Sequence, residues 1–149
     1  MNGSVTVHMA ASPSDVWELV SDVTRIGEFS PETFEAEWID GATGPELGAK
    51  FRGHVRRNGW WPPYWTTCIV VACEPNREFA FGVGGSDRIL NRWGYVLEAS
   101  DGGTDVTESF ALTPTLPLRL YWAIAGWMRS RTNHDGMTET LKRIKAVVE

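Results

Sequence analysis

Apolar and polar residues alternate along much of the chain, and alternation predicts strands, because successive strand side chains point to opposite faces. Ser4–Ala11 is the first such run. Ser12 or Ser14 then offers a helix N-cap and Pro13 suits a first turn. The helix that follows has an apolar stripe of Val16, Trp17, Leu19, Val20 and Val23. Thr24–Pro31 reads as a second short helix, closed by its proline. In Glu32–Asp40, Phe34, Ala36 and Trp38 alternate with charges, and the glycines of Gly41–Gly48 mark a turn region. Phe51, Gly53 and Val55 share one side of the next run, with Arg52, His54 and Arg56 on the other. Pro62 and Pro63 break that ladder, since neither can donate a backbone hydrogen bond. Four more runs follow: Trp65–Glu74, Arg77–Gly85, Asn91–Ser100 and Thr104–Thr113. Their short connections imply an antiparallel meander, with tight hairpins at Cys73–Glu78 and Ala99–Asp105.

From about Leu118 the period becomes helical. Met137, Leu141, Ile144 and Val148 follow a three-four pattern, which extends backwards to His134, Ser130, Trp127 and Ala123. Gly126 and Gly136 are weak helix formers there, each costing about 1 kcal/mol against Ala. Gly136 marks either close approach to a strand or ligand, or a bend or break.

The sum is an α+β chain of about seven strands, two short helices after the first strand and one long final helix, organised as one domain over residues 1–149. Only the final helix is long enough to cover a seven-stranded sheet, and a twisted sheet curls around such a helix. It cannot fill the whole concave side, so a pocket is expected beside it. Strand parity sends inward Trp65, Thr67, Ile69 and Val71, then Phe79, Phe81 and Val83, then Trp93, Tyr95 and Leu97, then Val106, Glu108 and Phe110. The expected ligand contacts are Trp65, Thr67, Ile69, Phe79, Phe81, Trp93, Tyr95, Glu108 and Phe110 from these strands. Phe51 and Val55 join them from the earlier strand, and Trp127, His134, Met137 and Leu141 from the helix.

Composition sharpens this picture. Apolar residues make up 42% and charged residues 22%, which suits a folded globular chain. Eight Trp, six Phe and three Tyr are many rings for one small core, so the core is unusually aromatic or some rings line a cavity. A net charge of −5 lacks the basic footprint of a nucleic-acid binder, and no such partner is expected. Cys68 and Cys73 lie five apart in one run, on opposite faces by strand parity, so free thiols in a reducing cytoplasm are expected. Met1–Asp15 shows no basic region followed by an apolar one, so no signal peptide is expected. Leu116–Met128 is interrupted by Arg119 and is shorter than the ~20 residues of a membrane span.

Glu108 is the main chemical question, a carboxylate at the centre of an apolar strand face. Desolvation would raise its pKa and suit it to acid–base work or to anchoring a ligand hydroxyl or ketone. Alternatively it sits at a wet pocket mouth or pairs with an arginine on a neighbouring strand. Tyr95 shares its parity, and either polarises a carbonyl beside it or is core. His134 is a proton shuttle or a polar rim residue. His54 belongs with Arg52 and Arg56 on the solvated side, and His8 has no visible partner. The rings of Gly59–Trp65, GWWPPYW, form a lip over the entrance, a patch for membrane contact or homodimer formation, or a packed hairpin loop. The Trp and Arg residues of Leu116–Arg131 rest on lipid headgroups or pack into the sheet.

Five segments carry a family resemblance: VHMAASPSDVWELVSDVTRIGEFSP, GAKFRGHVRRNG, WTTCIVVACEPNREFAF, RWGYVLEASDGGTDVTESF and NHDGMTETLKRIKAVVE. In this order they resemble a START-like, helix-grip protein of the SRPBCC superfamily, in its polyketide cyclase/dehydrase and lipid-transport branch. The resemblance implies a deep apolar cavity for a lipid, polyketide or other hydrophobic molecule. Its members include aromatases/cyclases, hydrolases, transport proteins and hormone receptors, and fold alone does not choose among them. Relatives of this branch often carry Asn where FRGHVRR has Val55, so a less polar pocket is expected here. The sequence has no nucleophile elbow, zinc spacing, phosphate loop or dinucleotide fingerprint, and no metal or cofactor is expected. The leading expectation is a non-catalytic carrier or sensor of a hydrophobic small molecule. The alternative is a polyketide cyclase, aromatase or dehydrase that uses Glu108 and Tyr95.

Overall fold

In the computed structural model the Ser12 hydroxyl caps the first helix, accepting from the Asp15 N–H at 3.1 Å, with Pro13 in the first turn. The structure describes residues 2–56, 62–84, 89, 91–112 and 116–149, with side chains in the last range from 131 onward. The strands are β1 (Asn2–Met9), β2 (Thr33–Ile39), β3 (Lys50–Val55), β4 (Tyr64–Glu74), β5 (Glu78–Val83), β6 (Asn91–Ser100) and β7 (Gly103–Leu112). The helices are α1 (Pro13–Val20) and α2 (Leu116–Val148), with a 3-10 helix at Val23–Glu28.

All seven strands form one antiparallel sheet in the order β1-β7-β6-β5-β4-β3-β2. The β2–β7 meander follows from its short turns. Between β6 and β7, Ser100 pairs with Gly103, so Asp101 and Gly102 alone make the turn, with φ of 43° and 77°. Asp and Gly tolerate this left-handed backbone, and that conformation matches the twist of a two-residue hairpin. Asn76 does the same work between β4 and β5, with φ of 64°.

Apart from its contacts with α1 and the 3-10 helix, α2 packs chiefly on β1 and less on β7, at one side of the sheet. A core of Met9, Val16, Leu19, Val106, Leu141 and Ile144 fills that side. Fully burying side chains of this size is worth about 1.5–3 kcal/mol each. Trp17 meets Phe79 edge-on, with ring centroids 6.1 Å apart. The buried Thr104 hydroxyl donates to the Ala11 carbonyl at 2.7 Å and fixes the chain's exit from β1. Beside the contact of α2 with β1 and β7, room remains under β3–β6.

Four expectations are corrected. On β4 it is Cys68 and Val70 that are buried, while Trp65 and Thr67 are exposed and Ile69 and Val71 are only half-buried. The cause is register: Phe51 pairs with Cys68 and Val55 with Tyr64, and directly paired residues share a face. Trp65 therefore joins the outer face, stacked on His54 at 4.2 Å, with the Arg52 guanidinium 4.3 Å from its ring centre.

A bulge between Val70 and Ala72 then flips parity, so that Cys73 pairs with Phe79 and turns inward like Cys68. Both thiols are free, but the opposite-face argument does not explain it. A second bulge near Thr33 turns Phe34 outward onto His54, and Phe34 is 44% exposed. Lastly, α2 runs unbroken past Gly136 and buries Asn133, whereas His134 is exposed. At 3.6 residues per turn, the step back from Met137 along the stripe of Leu141 lands on Asn133.

Candidate functional site

The space under β3–β6 is a pocket of about 130 Å³. Its walls include Phe51, Gly53 and Val55 of β3, Tyr64, Thr66 and Cys68 of β4, and Phe81 and Val83 of β5. Asn91, Trp93 and Tyr95 of β6 and Glu108 of β7 continue them, and α2 closes the pocket with Asn133, Gly136, Met137 and Thr140. Ser30–Thr33, between the 3-10 helix and β2, forms another edge with Thr132 of α2.

Glu108 is held between two strands. Its paired residues are Val5 on β1 and Tyr95 on β6. Valine offers no hydrogen bond, and the Tyr95 hydroxyl donates to Glu108 Oε1 at 3.3 Å. Glu108 Oε2 is buried and has no hydrogen-bond partner among the described residues. Glu108 is 5% exposed, and burial pushes its pKa up to about 8, against a lowering by the Tyr95 hydrogen bond. At neutral pH the carboxyl is therefore mostly a neutral acid. With Oε1 occupied by Tyr95, the acid proton belongs on Oε2, and the group offers an O–H donor to the pocket.

Burial, then the neighbouring Glu108, push the Tyr95 phenol well above its ordinary value, so it stays a donor. The Phe29 ring holds Tyr95 edge-on at 6.5 Å. Burial likewise pushes the Cys68 thiol up to about 12, which removes it as a nucleophile near neutrality. The Thr140 hydroxyl is engaged by the Gly136 carbonyl at 2.8 Å. A Cβ built on Gly136 would meet nothing within 4 Å, so the missing side chain is open space at the pocket wall rather than a tight helix–strand contact.

Among the expected ligand contacts, Phe51, Val55, Phe81, Trp93, Tyr95, Glu108 and Met137 line this pocket. Phe79 and Leu141 belong to the core instead, 1% and 0% exposed. Phe110 is buried beside Trp93 on the same face, with ring centroids 5.4 Å apart, and does not line the pocket. Trp65, Thr67 and Ile69 belong to the other side of β4, and His134 is outside the pocket. Trp127, Trp60 and Trp61 fall outside the described side chains. His8 does have a partner, Asp105, at 2.7 Å on the outer face.

Lining residues that the sequence did not single out include Tyr64, Thr66 and Cys68, together with Asn91, Asn133 and Thr140, whereas Gly136 was expected to approach a strand or ligand and does line the pocket. Counting parity from β3 across the Pro62-Pro63 break leads to Trp65 instead, and only the pairing of Val55 with Tyr64 and of Phe51 with Cys68 brings the first three inward. Asn91 shares the parity of Trp93 and Tyr95 and was legible on that ground. Among the described residues no group of three or more His, Cys, Asp or Glu could hold a metal ion, and no helix is long and apolar enough to cross a membrane.

Residues 2–149 match the family described as polyketide cyclase/dehydrase and lipid transport. No curated protein matches the chain. Among solved structures, the Polyketide_cyc-like protein Cgl2372 from Corynebacterium glutamicum is 31% identical, with a TM-score of 0.67 over 98% of this chain and 90% of that one. The Thermus thermophilus protein TTHA0849 is 13% identical, with a TM-score of 0.75 over 99% of this chain and 97% of that one. The di-domain ARO/CYC StfQ from the steffimycin biosynthetic pathway is 12% identical, with a TM-score of 0.75 over 99% of this chain and 50% of that one. The last two likenesses show a shared fold.

Proposed function

The chain belongs to the polyketide cyclase/dehydrase and lipid transport family, and we propose that it binds a small, largely apolar molecule between its sheet and α2, as a carrier or sensor. The observation that carries this reading is Glu108 Oε2, buried in the pocket wall without a partner among the described residues. A buried polar atom left unpaired costs stability unless something meets it, and a ligand oxygen is the natural complement to a neutral acid. The surrounding Phe51, Val55, Phe81 and Met137 supply apolar contact. The described lining holds Glu32 and Glu108 but no histidine, lysine or arginine, which disfavours an anionic ligand.

Native mass spectrometry after organic extraction, followed by thermal shift with matched aromatic ketones and hydrocarbons, tests this. Ketones should raise the melting temperature more than hydrocarbons of the same shape, and Glu108→Leu should erase the difference. A protein that purifies empty and responds to no apolar compound overturns the reading.

A second reading rests on the pKa of about 8 at Glu108, which suits a group that gives and takes a proton near neutrality. In a cyclase or dehydrase, the Glu108 carboxylate removes a proton α to a ligand carbonyl. As a carboxylic acid it returns that proton to a departing hydroxyl, which leaves as water. Tyr95 donates to Glu108 in the structure and would hold it in place. Glu108→Gln and Tyr95→Phe should then each cut turnover while keeping ligand affinity. Wild-type rates in both variants would dismiss the catalytic reading and leave the carrier.

A further inference from the structure

Glu108 is not the only buried atom in this pocket that lacks a partner. Asn91 Oδ1 is also buried and unpartnered among the described residues, and Asn91 lines the same space. The reason is again local. Asn91 pairs with Val83 on β5 and with Leu112 on β7, and neither side chain can donate a hydrogen bond. Asn91, Trp93 and Tyr95 alternate onto one face of β6, so the amide and the Tyr95–Glu108 pair mark two ends of one wall. Asn91 and Tyr95 lie four steps apart along β6, about 13 Å at a rise near 3.3 Å per residue. Between them the wall is apolar: Trp93, flanked by Phe110 on the next strand, with Phe81 also in the lining.

Resting on the reading of this pocket as a ligand site, we infer that Asn91 is a second polar subsite, and that the ligand carries an O–H or N–H donor at the end opposite the oxygen that meets Glu108. The ligand class is thus an elongated hydroxy- or amino-substituted carbonyl compound, with a flat apolar middle lying along Trp93. The amide oxygen reads the donor. The carboxyl reads the acceptor. A molecule with two acceptors, or with a donor only at the Glu108 end, leaves one of the buried atoms unmet.

Three rigid probes separate the subsite from the pocket: 2-acetylnaphthalene, its 6-hydroxy derivative and its 6-methoxy derivative. Binding is followed by quenching of tryptophan fluorescence in wild type, Asn91→Leu and Asn91→Asp, with circular dichroism to verify folding. Wild type should bind the hydroxy ketone about five- to tenfold more tightly than the methoxy ketone, the scale of one hydrogen bond. Asn91→Leu should abolish that preference while 2-acetylnaphthalene still binds. Asn91→Asp keeps an acceptor oxygen and should keep the preference. Equal affinities for the hydroxy and methoxy probes in wild type overturn the subsite and leave the pocket reading intact. A preference that survives Asn91→Leu in folded protein overturns it as well. Failure of all three probes to bind removes both the subsite and the pocket reading.

Discussion

The Tyr95 hydroxyl meets Glu108 Oε1 at 3.3 Å across directly paired positions of β6 and β7. The bond is longer than the 2.7–2.8 Å typical of O–H···O contacts, so it stabilises the carboxylate only weakly. Burial therefore dominates and holds the acid neutral to about pH 8.

This has a consequence for stability. The folded pKa lies above the unfolded one, so between about pH 4.5 and 8 the folded chain holds a proton that the unfolded chain has released. Stability should fall as pH rises through this window, by up to about 1.4 kcal/mol per unit, and level off above it. Glu108→Gln has no such proton. Urea unfolding at pH 5, 7 and 8.5 should show the variant gaining on wild type as pH rises. A difference that stays constant with pH would place the Glu108 carboxyl in contact with water.

Gly136 predicts a trade between stability and binding. Its missing Cβ faces space, so Gly136→Ala should stabilise α2 by about 1 kcal/mol. In a chain of this size that is about 3 °C of melting temperature. Gly136→Leu should project into the pocket and weaken binding of an aromatic ketone at least tenfold. Calorimetric melting and titration on the same samples measure both effects.

The outer face of β4 gives a control for the corrected parity. Trp65→Ala removes the stack on His54 and the Arg52 contact, and should cost about 1 kcal/mol or less at this exposed site. Ligand affinity should not change. Thr66→Val, one residue along and in the pocket wall, alters the lining and should change affinity with little effect on folding. The opposite pattern in binding titrations would restore the parity read from sequence.

Thr104→Val tests how the early chain is tied to the sheet. The substitution keeps the shape but leaves the Ala11 carbonyl without its 2.7 Å donor. A loss of about 1–3 kcal/mol in chemical denaturation is expected.

The sequence by itself determined the sheet of alternating runs, the long final helix and the inward pairing of Tyr95 with Glu108. Period-two alternation sets which residues share a face of β6 and β7. The Asp101-Gly102 turn then locks their register. Three things needed the tertiary structure. Tyr64, Thr66, Cys68 and Val70 alternate with Trp65, Thr67, Ile69 and Val71, and both sets are apolar enough to be core, so only pairing with β3 chose the face. Asn133 and His134 both fit a helical stripe within its angular spread, and only the packing of α2 against its neighbours selected Asn133. Among the described residues α2 packs on β1 and β7, and the pocket lies beside that contact, under β3–β6. Alternation records which residues share a face; which face is covered, and by what, depends on contacts between segments far apart in the chain.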